Sequence, residues 1–199
     1  MIHQQGTLHD MEGGRSKTFR RSVRRFVSLH LLIIVASLAG LLASSCLADT
    51  ASRSVKAAYL YNFALFTEWP ERIGAPFRLC VLGDSSMDEA LHRLEGKPVQ
   101  QGSRVEIVHT ELDQDWSSCR MFFLDSEHQD SLSQALHKLA SLPVLTVADG
   151  EEGVPRGFMI GLANRDNRLQ FDINLYAARN VGLNFSARLL KLANDVASR

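Results

Sequence analysis

The sequence predicts an α/β fold: a single domain with a mixed β-sheet, flanking helices, and a C-terminal antiparallel hairpin followed by a helix. Three observations support this prediction. The chain has 199 residues, of which 45% are hydrophobic and 22% charged, so it can build a packed core. Apolar runs of strand length alternate with amphipathic helical segments beyond residue 49. Near the C-terminus, two apolar runs flank the turn-rich segment ANRDN, which is typical of a hairpin.

Residues 1–48 predict an export signal that precedes this domain. Their basic part is followed by an uncharged, apolar stretch over residues 26–48. Cleavage before Asp49 would release residues 49–199 as an exported domain. Two alternatives stay open: the apolar stretch is long enough to remain as a membrane anchor, and Cys46 lies in a weak version of the lipoprotein acceptor motif. Each of the three outcomes exports the domain.

The charge of the exported part argues against nucleic-acid binding. Residues 1–48 hold 6 Lys/Arg against 2 Asp/Glu, which leaves 16 against 20, a net charge of −4, in residues 49–199. A nucleic-acid-binding domain usually carries an excess of positive charge to contact phosphates. We therefore expect no nucleic acid among its partners.

The elements of the domain follow from its patterning. Ser52 or Ser54 can cap a first helix that ends at Trp69-Pro70, because the residue before proline disfavours helical backbone. Further helices are predicted at 87–94, 131–142 and 186–196. Strands are predicted at 77–83, 104–109, 120–124, 144–147, 158–162 and 169–173, the last two forming the hairpin. The glycine-rich segment 150–157 is interpreted as a turn.

Two cysteines remain in the domain if Cys46 leaves with the signal. An even pair in an oxidising compartment favours a disulfide between Cys80 and Cys119, and two buried free thiols are the alternative. No CxxC redox motif is present. The pair is therefore interpreted as a structural cross-link, worth roughly 4 kcal/mol in the chain-entropy account.

One pair of segments has the residue types of a catalytic site. Gly83-Asp84-Ser85 follows one predicted strand, and Asp125-Ser126-Glu127-His128 follows another. A GDSL-like serine hydrolase, with Ser85 as nucleophile and the second segment as the source of Asp and His, is therefore an alternative interpretation. However, the DxxH segment lies mid-chain, and the block that should supply oxyanion contacts is missing. We interpret Asp84 and Ser85 as helix-capping residues, and we predict no catalytic residue.

No metal or cofactor site is predicted. The four histidines of the domain form neither an HxxxH pair nor a zinc-finger spacing with cysteine; they are His92, His109, His128 and His137. No glycine-rich phosphate loop joins a strand to a helix.

Three separated segments resemble one known family. VKAAYLYNFALFTEWP at 55–70, FRLCVLGDSS at 77–86 and the C-terminal block at 156–193 resemble the YfiR family, which includes HmsC-like proteins. The resemblance covers residues 55–193. It implies a periplasmic, non-enzymatic inhibitor of an inner-membrane diguanylate cyclase, acting on that enzyme's periplasmic sensor region. By lowering cyclic-di-GMP, such an inhibitor limits biofilm and exopolysaccharide production.

The resemblance also implies further partners and a cross-link. An OmpA-like outer-membrane lipoprotein sequesters the inhibitor, and the proteins tend to be homodimers. Cys80 and Cys119 match an internal disulfide of the family. Some members have a second disulfide in the C-terminal half, which no cysteine here can form.

An inhibitor that works by docking needs exposed apolar anchors. The candidates are apolar residues at the end of the first helix and near the glycine-rich turn: Phe66, Trp69, Val154, Phe158 and Met159. In contrast, residues 61–63 and 171–174 are interpreted as architectural, with Asn62 and Asn174 as the possible exceptions. An exported hydrolase using Ser85 and a small-ligand sensor with a deep polar pocket are the alternative functions.

Overall fold

The computed structural model describes residues 50–70, 76–166 and 168–198. The predicted export signal at 1–48 lies outside these residues. Within the described ranges, no helix is long and apolar enough to cross a membrane.

The first helix, α1, covers residues 50–66 of the described chain. Its apolar residues recur at helical spacing, and Leu60 and Phe63 are fully buried while Val55 and Asn62 face solvent. The two-residue strand β1 (Thr67–Glu68) follows directly and pairs antiparallel with β8 (Asn184–Phe185). The predicted helix therefore exists, and a small second sheet ties its end to the C-terminal part of the chain.

The main sheet has seven strands in the order β3-β2-β4-β5-β6-β7-β9. In chain order these strands are β2 (Phe77–Leu82), β3 (Val105–Thr110), β4 (Met121–Leu124), β5 (Leu145–Asp149), β6 (Ile160–Arg165), β7 (Arg168–Asn174) and β9 (Asp195–Ala197). The hairpin β6–β7 is antiparallel, whereas every other neighbouring pair is parallel. The mixed sheet and the terminal hairpin are thus confirmed.

Short helices connect these strands. They are α2 (Asp88–His92), α3 (Leu132–Leu139), α4 (Gly153–Arg156), α5 (Leu175–Asn180) and α6 (Ala187–Leu192). The segment interpreted as a turn at 150–157 contains the single helical turn α4, closed by Gly157 at φ 117°. The single α/β domain with flanking helices agrees with the sequence-based prediction.

The C-terminal segment differs from its prediction. A helix was expected over 186–196, but α6 ends at Leu192, and β9 then extends the sheet beside β7. The Asn194 amide donates to the Phe171 carbonyl oxygen at 2.9 Å, and its side chain donates to Asp172 Oδ1 at 3.0 Å. These tertiary hydrogen bonds favour extended backbone where periodicity alone predicts a helix.

The sheet is buried on both faces, as parallel strands require. Because side chains alternate along a strand, Leu79 and Val81 of β2 belong to one buried cluster, while Cys80 and Leu82 belong to another. The first cluster includes residues of α1, α2, α5 and α6, and the second includes residues of α3. The two faces together make the core of the domain.

Candidate functional site

The C-terminal end of α1 is fixed by side-chain and backbone hydrogen bonds from distant parts of the chain. The Gln100 side-chain nitrogen lies 2.7 Å from the Leu65 carbonyl oxygen and 2.6 Å from that of Thr67. The Ser186 amide donates to the Phe66 carbonyl oxygen at 2.9 Å. These bonds satisfy carbonyl groups that a helix end leaves without partners, and they hold Phe66 in place.

Two of the predicted anchors lie at this end of α1 and are half-buried. The Arg188 guanidinium, on α6, lies 5.3 Å from the centre of the Phe66 ring, within cation–π range. Trp69 packs edge-on against Phe77, with ring centres 5.5 Å apart. We call Phe66, Trp69 and Arg188 the α1-end surface. Sequence reasoning missed Arg188, because nothing local in the sequence links α6 to α1.

The other three predicted anchors lie near α4, and two of them need correction. Phe158 is fully buried and Met159 is 5% exposed, and they belong to the second and first core clusters, respectively. They were expected to be exposed because they follow a glycine-rich turn, but the turn packs them against the sheet. Val154 is half-buried on α4, with its Cγ2 atom 3.3 Å from the position a Cβ would take at Gly161. Of the three, Val154 alone is more than slightly exposed.

The residues interpreted as architectural are largely placed as expected. Phe63, Phe171 and Ile173 are in the first core cluster, and the rings of Phe63 and Phe171 lie 5.1 Å apart. Asn174 caps α5, because its Oδ1 atom accepts the Ala177 amide at 2.9 Å.

The cysteine pair forms a disulfide in the structure. Cys80 lies in β2 and Cys119 just before β4, with Cα atoms 5.8 Å apart. Both residues are buried, and the neighbouring Trp116 ring packs on Phe122 at 4.4 Å between ring centres. The cross-link therefore joins β2 to the loop that leads from β3 into β4.

The polar residues of the GDS and DSEH segments meet at the carboxyl ends of β2 and β4. Asp125 is fully buried, and it accepts hydrogen bonds from the hydroxyls of Ser85, Ser86 and Ser126 and from the Glu127 amide. Burial favours the neutral acid, but these hydrogen bonds outweigh it, and the pKa of Asp125 lies below its ordinary value. Asp125 is a carboxylate that stabilises the loops around it.

This arrangement differs from a serine hydrolase triad. The Ser85 hydroxyl donates to Asp125 and accepts the Met87 amide at 3.1 Å, so it stabilises the loop before α2. The N-cap residue of α2 is Met87 and no side chain caps this helix, so the predicted capping role of Asp84 and Ser85 is wrong. His128 packs its ring against Gly83, where Nε2 lies 2.8 Å from the position a Cβ would take. Gly83 has a φ of 62°, so it provides both the turn and the space for that ring. A triad needs an imidazole on the serine hydroxyl, and here a carboxylate occupies that position.

A buried ion pair lies at the end of the neighbouring strand, β5. Lys56 Nζ, from α1, lies 2.5 Å from Asp149 Oδ2, and the side chains are 20% and 7% exposed. Burial raises the pKa of Asp149 above its ordinary value, although Lys56 opposes this shift. The pair holds the N-terminal half of α1 to the sheet. The partners lie 93 positions apart in the chain, so no sequence motif could have identified the pair.

Metal-binding geometry is not found in the part of the chain described here, where no cluster of three or more His, Cys, Asp or Glu residues is suited to hold an ion.

Comparison with known proteins gives a family and several solved structures, of which one is described here. The family model described as YfiR/HmsC-like matches residues 53–194. A search of curated proteins gives no match. Among solved structures, an ABC domain in complex with L-Trp from Streptococcus pneumonia is similar over 60% of this chain and 55% of that chain, at 11% identity and a TM-score of 0.44. That likeness is too low to establish a shared fold, whereas the family model spans almost the whole described domain, and the chain belongs to the YfiR/HmsC-like family.

Proposed function

We propose that this protein is a periplasmic inhibitor that binds the periplasmic sensor region of an inner-membrane diguanylate cyclase and represses its synthesis of cyclic-di-GMP. The observation that carries the proposal is the family match over residues 53–194, since the family comprises periplasmic regulators of cyclic-di-GMP signalling. The expected consequence is reduced biofilm and exopolysaccharide production.

The α1-end surface supports a docking role. Binding energy at protein interfaces concentrates in a few aromatic and arginine side chains surrounded by polar groups. Phe66 and Trp69 are half-buried aromatic residues, and Arg188 stacks on the Phe66 ring. Hydrogen bonds to the backbone hold this surface in shape, so little conformational freedom would be lost on binding.

The test compares Phe66→Ala with Tyr176→Ala. Both remove an aromatic ring with accessible surface, and Tyr176, which is 55% exposed on α5, lies outside the proposed surface. We expect Phe66→Ala to weaken copurification with the cyclase at least ten-fold and to raise cellular cyclic-di-GMP, whereas Tyr176→Ala behaves as the wild type. Equal effects of the two changes, at equal periplasmic abundance, would contradict the proposed surface.

The same measurement of cellular cyclic-di-GMP also tests the serine hydrolase alternative. Ser85→Ala and His128→Ala should leave repression intact in protein that is still folded and exported. Loss of repression in both variants would instead favour catalysis by Ser85.

Two further partners belong to the proposal. An OmpA-like outer-membrane lipoprotein would sequester the inhibitor, and the inhibitor itself would be a homodimer. Light scattering of the purified protein measures its mass directly, and copurification from the outer-membrane fraction tests the lipoprotein. A monomer at micromolar concentration would argue against the dimer.

A further inference from the structure

A half-open groove lies beside the amino ends of β5 and β6. Its volume is about 240 Å³, and it is lined by residues of α3, α5 and the end of α4, by Thr146 of β5, and by Met159 just before β6. Most of the lining is aliphatic, with Leu136, Leu139, Met159 and Val181 as its larger side chains. No aromatic residue is among the described residues that line it.

One cation lies at this groove. Arg156, the last residue of α4, has a side chain that is 51% exposed, and its Nε atom lies 3.4 Å from Glu152 Oε2. Within the described chain, the two terminal nitrogens of this guanidinium have no hydrogen-bond partner. A guanidinium fork with free terminal donors suits a carboxylate, which it can bind through two parallel hydrogen bonds.

Two uncharged polar residues line the groove: Asn180 is exposed to solvent, and the hydroxyl of Thr146 is already bonded. Thr146 is buried, and its hydroxyl oxygen accepts the Met159 amide at 3.0 Å. The groove therefore combines an aliphatic interior with a positive charge at one end, which is the complement of a molecule with a hydrocarbon body and an anionic head.

We infer that this groove binds a medium-chain fatty acid, with the carboxylate on Arg156 and the alkyl chain along the aliphatic lining. An apolar cavity of about 150 Å³ accommodates benzene, so a volume of 240 Å³ corresponds to roughly ten carbon atoms. The lining offers aliphatic side chains and no ring on which an aromatic ligand could stack. This binding goes beyond the proposed function and does not depend on it, because it requires no cyclase.

The experiment is calorimetric titration of protein purified after expression of the full chain. The probes are hexanoate, octanoate and decanoate, each below its micelle-forming concentration, together with decanol and 2-naphthoate. Affinity should rise about two- to four-fold for each added methylene, because each one buries further apolar surface. Decanol, which lacks the charge, should bind at least five-fold more weakly than decanoate.

Three variants locate the binding. Arg156→Gln should weaken decanoate binding at least five-fold without changing decanol binding, whereas Arg179→Gln removes an equivalent exposed charge outside the groove and should have no effect. Ala177→Leu fills part of the groove and should weaken both ligands, and its thermal midpoint verifies folding.

Several results would overturn the inference. These are the absence of decanoate binding, an affinity independent of chain length, equal effects of the two arginine changes, or 2-naphthoate binding more tightly than decanoate. None of these measurements involves the cyclase. A negative result for fatty-acid binding therefore does not contradict the proposed repression, and a negative result for repression does not contradict fatty-acid binding.

Discussion

At the scale of single residues, the ion pair between Lys56 and Asp149 makes the stability of the domain depend on pH. Because burial raises the pKa of Asp149, the folded state binds a proton on this carboxyl more readily than the unfolded state does. This contribution favours folding at low pH and is lost as the pH rises through the raised pKa. At neutral pH, the ammonium group of Lys56 compensates the buried negative charge of Asp149.

We therefore expect Lys56→Met to lower the free energy of unfolding by about 1–3 kcal/mol at pH 7, since it leaves a buried carboxylate unpaired. The penalty should shrink as the pH falls toward the pKa of Asp149, where the carboxyl becomes neutral. Urea unfolding from pH 7 to pH 4 measures this. In the double variant Lys56→Met/Asp149→Asn, the extra pH dependence should disappear, and its persistence would contradict the assignment to Asp149.

Asn174 acts at the same scale, as the N-terminal cap of α5. Asn174→Ala should cost about 1 kcal/mol in the free energy of unfolding, because the Ala177 amide loses its acceptor. Asn174→Asp should restore most of the loss, since its carboxylate can accept the same hydrogen bond. Asn62→Ala, at an exposed position on α1, is the matched control and should be silent in chemical denaturation. If Asn174→Ala abolished repression without loss of stability, this residue would contact the partner.

At the scale of secondary-structure elements, the disulfide joins β2 to the segment that leads into β4. The bond joins residues 39 positions apart in the chain and restricts the unfolded state. In the chain-entropy account, its removal costs about 4 kcal/mol, a large part of the net stability of a domain.

Replacing both cysteines, as in Cys80→Ala/Cys119→Ala, should lower the free energy of unfolding by that amount and reduce periplasmic abundance. Reductant should destabilise the wild-type protein similarly and should leave the double variant unchanged. Denaturant titration with and without reductant makes the comparison. A wild-type protein insensitive to reductant under unfolding conditions would argue against the cross-link.

At the scale of the whole molecule, two buried clusters share one sheet, so a defect on one face should unfold both. Phe158 is fully buried in the cluster that also contains α3. Phe158→Asp would place a charge in that core, and we expect loss of more than about 3 kcal/mol and little soluble protein.

Circular dichroism during thermal unfolding tests this prediction. The milder change Phe158→Leu should lower the midpoint while keeping a single cooperative transition. If the Phe158→Asp protein folded normally but no longer bound the cyclase, this would contradict a core role for Phe158 and indicate that it contacts the partner.

By itself, the sequence determined the features that depend on local order along the chain. Apolar runs and their period predicted α1, the parallel strands and the β6–β7 hairpin, since these patterns record which face of each element is buried. The even number of cysteines left in the exported domain, Cys80 and Cys119, and the family resemblance over 55–193 are likewise features of the sequence alone. Each of these features depends only on neighbouring residues or on the order of segments along the chain.

Only the tertiary structure decided which side chains meet across the fold. Ser85 reaches Asp125 across 40 residues, and Lys56 reaches Asp149 across 93. Phe158 and Met159 follow a turn, yet they are buried because the sheet packs over them. Residues 195–197 form a strand because hydrogen bonds to β7 outweigh local helical preference. Hydrogen bonds, ion pairs and burial depend on distances in space, which local patterning along a chain does not encode.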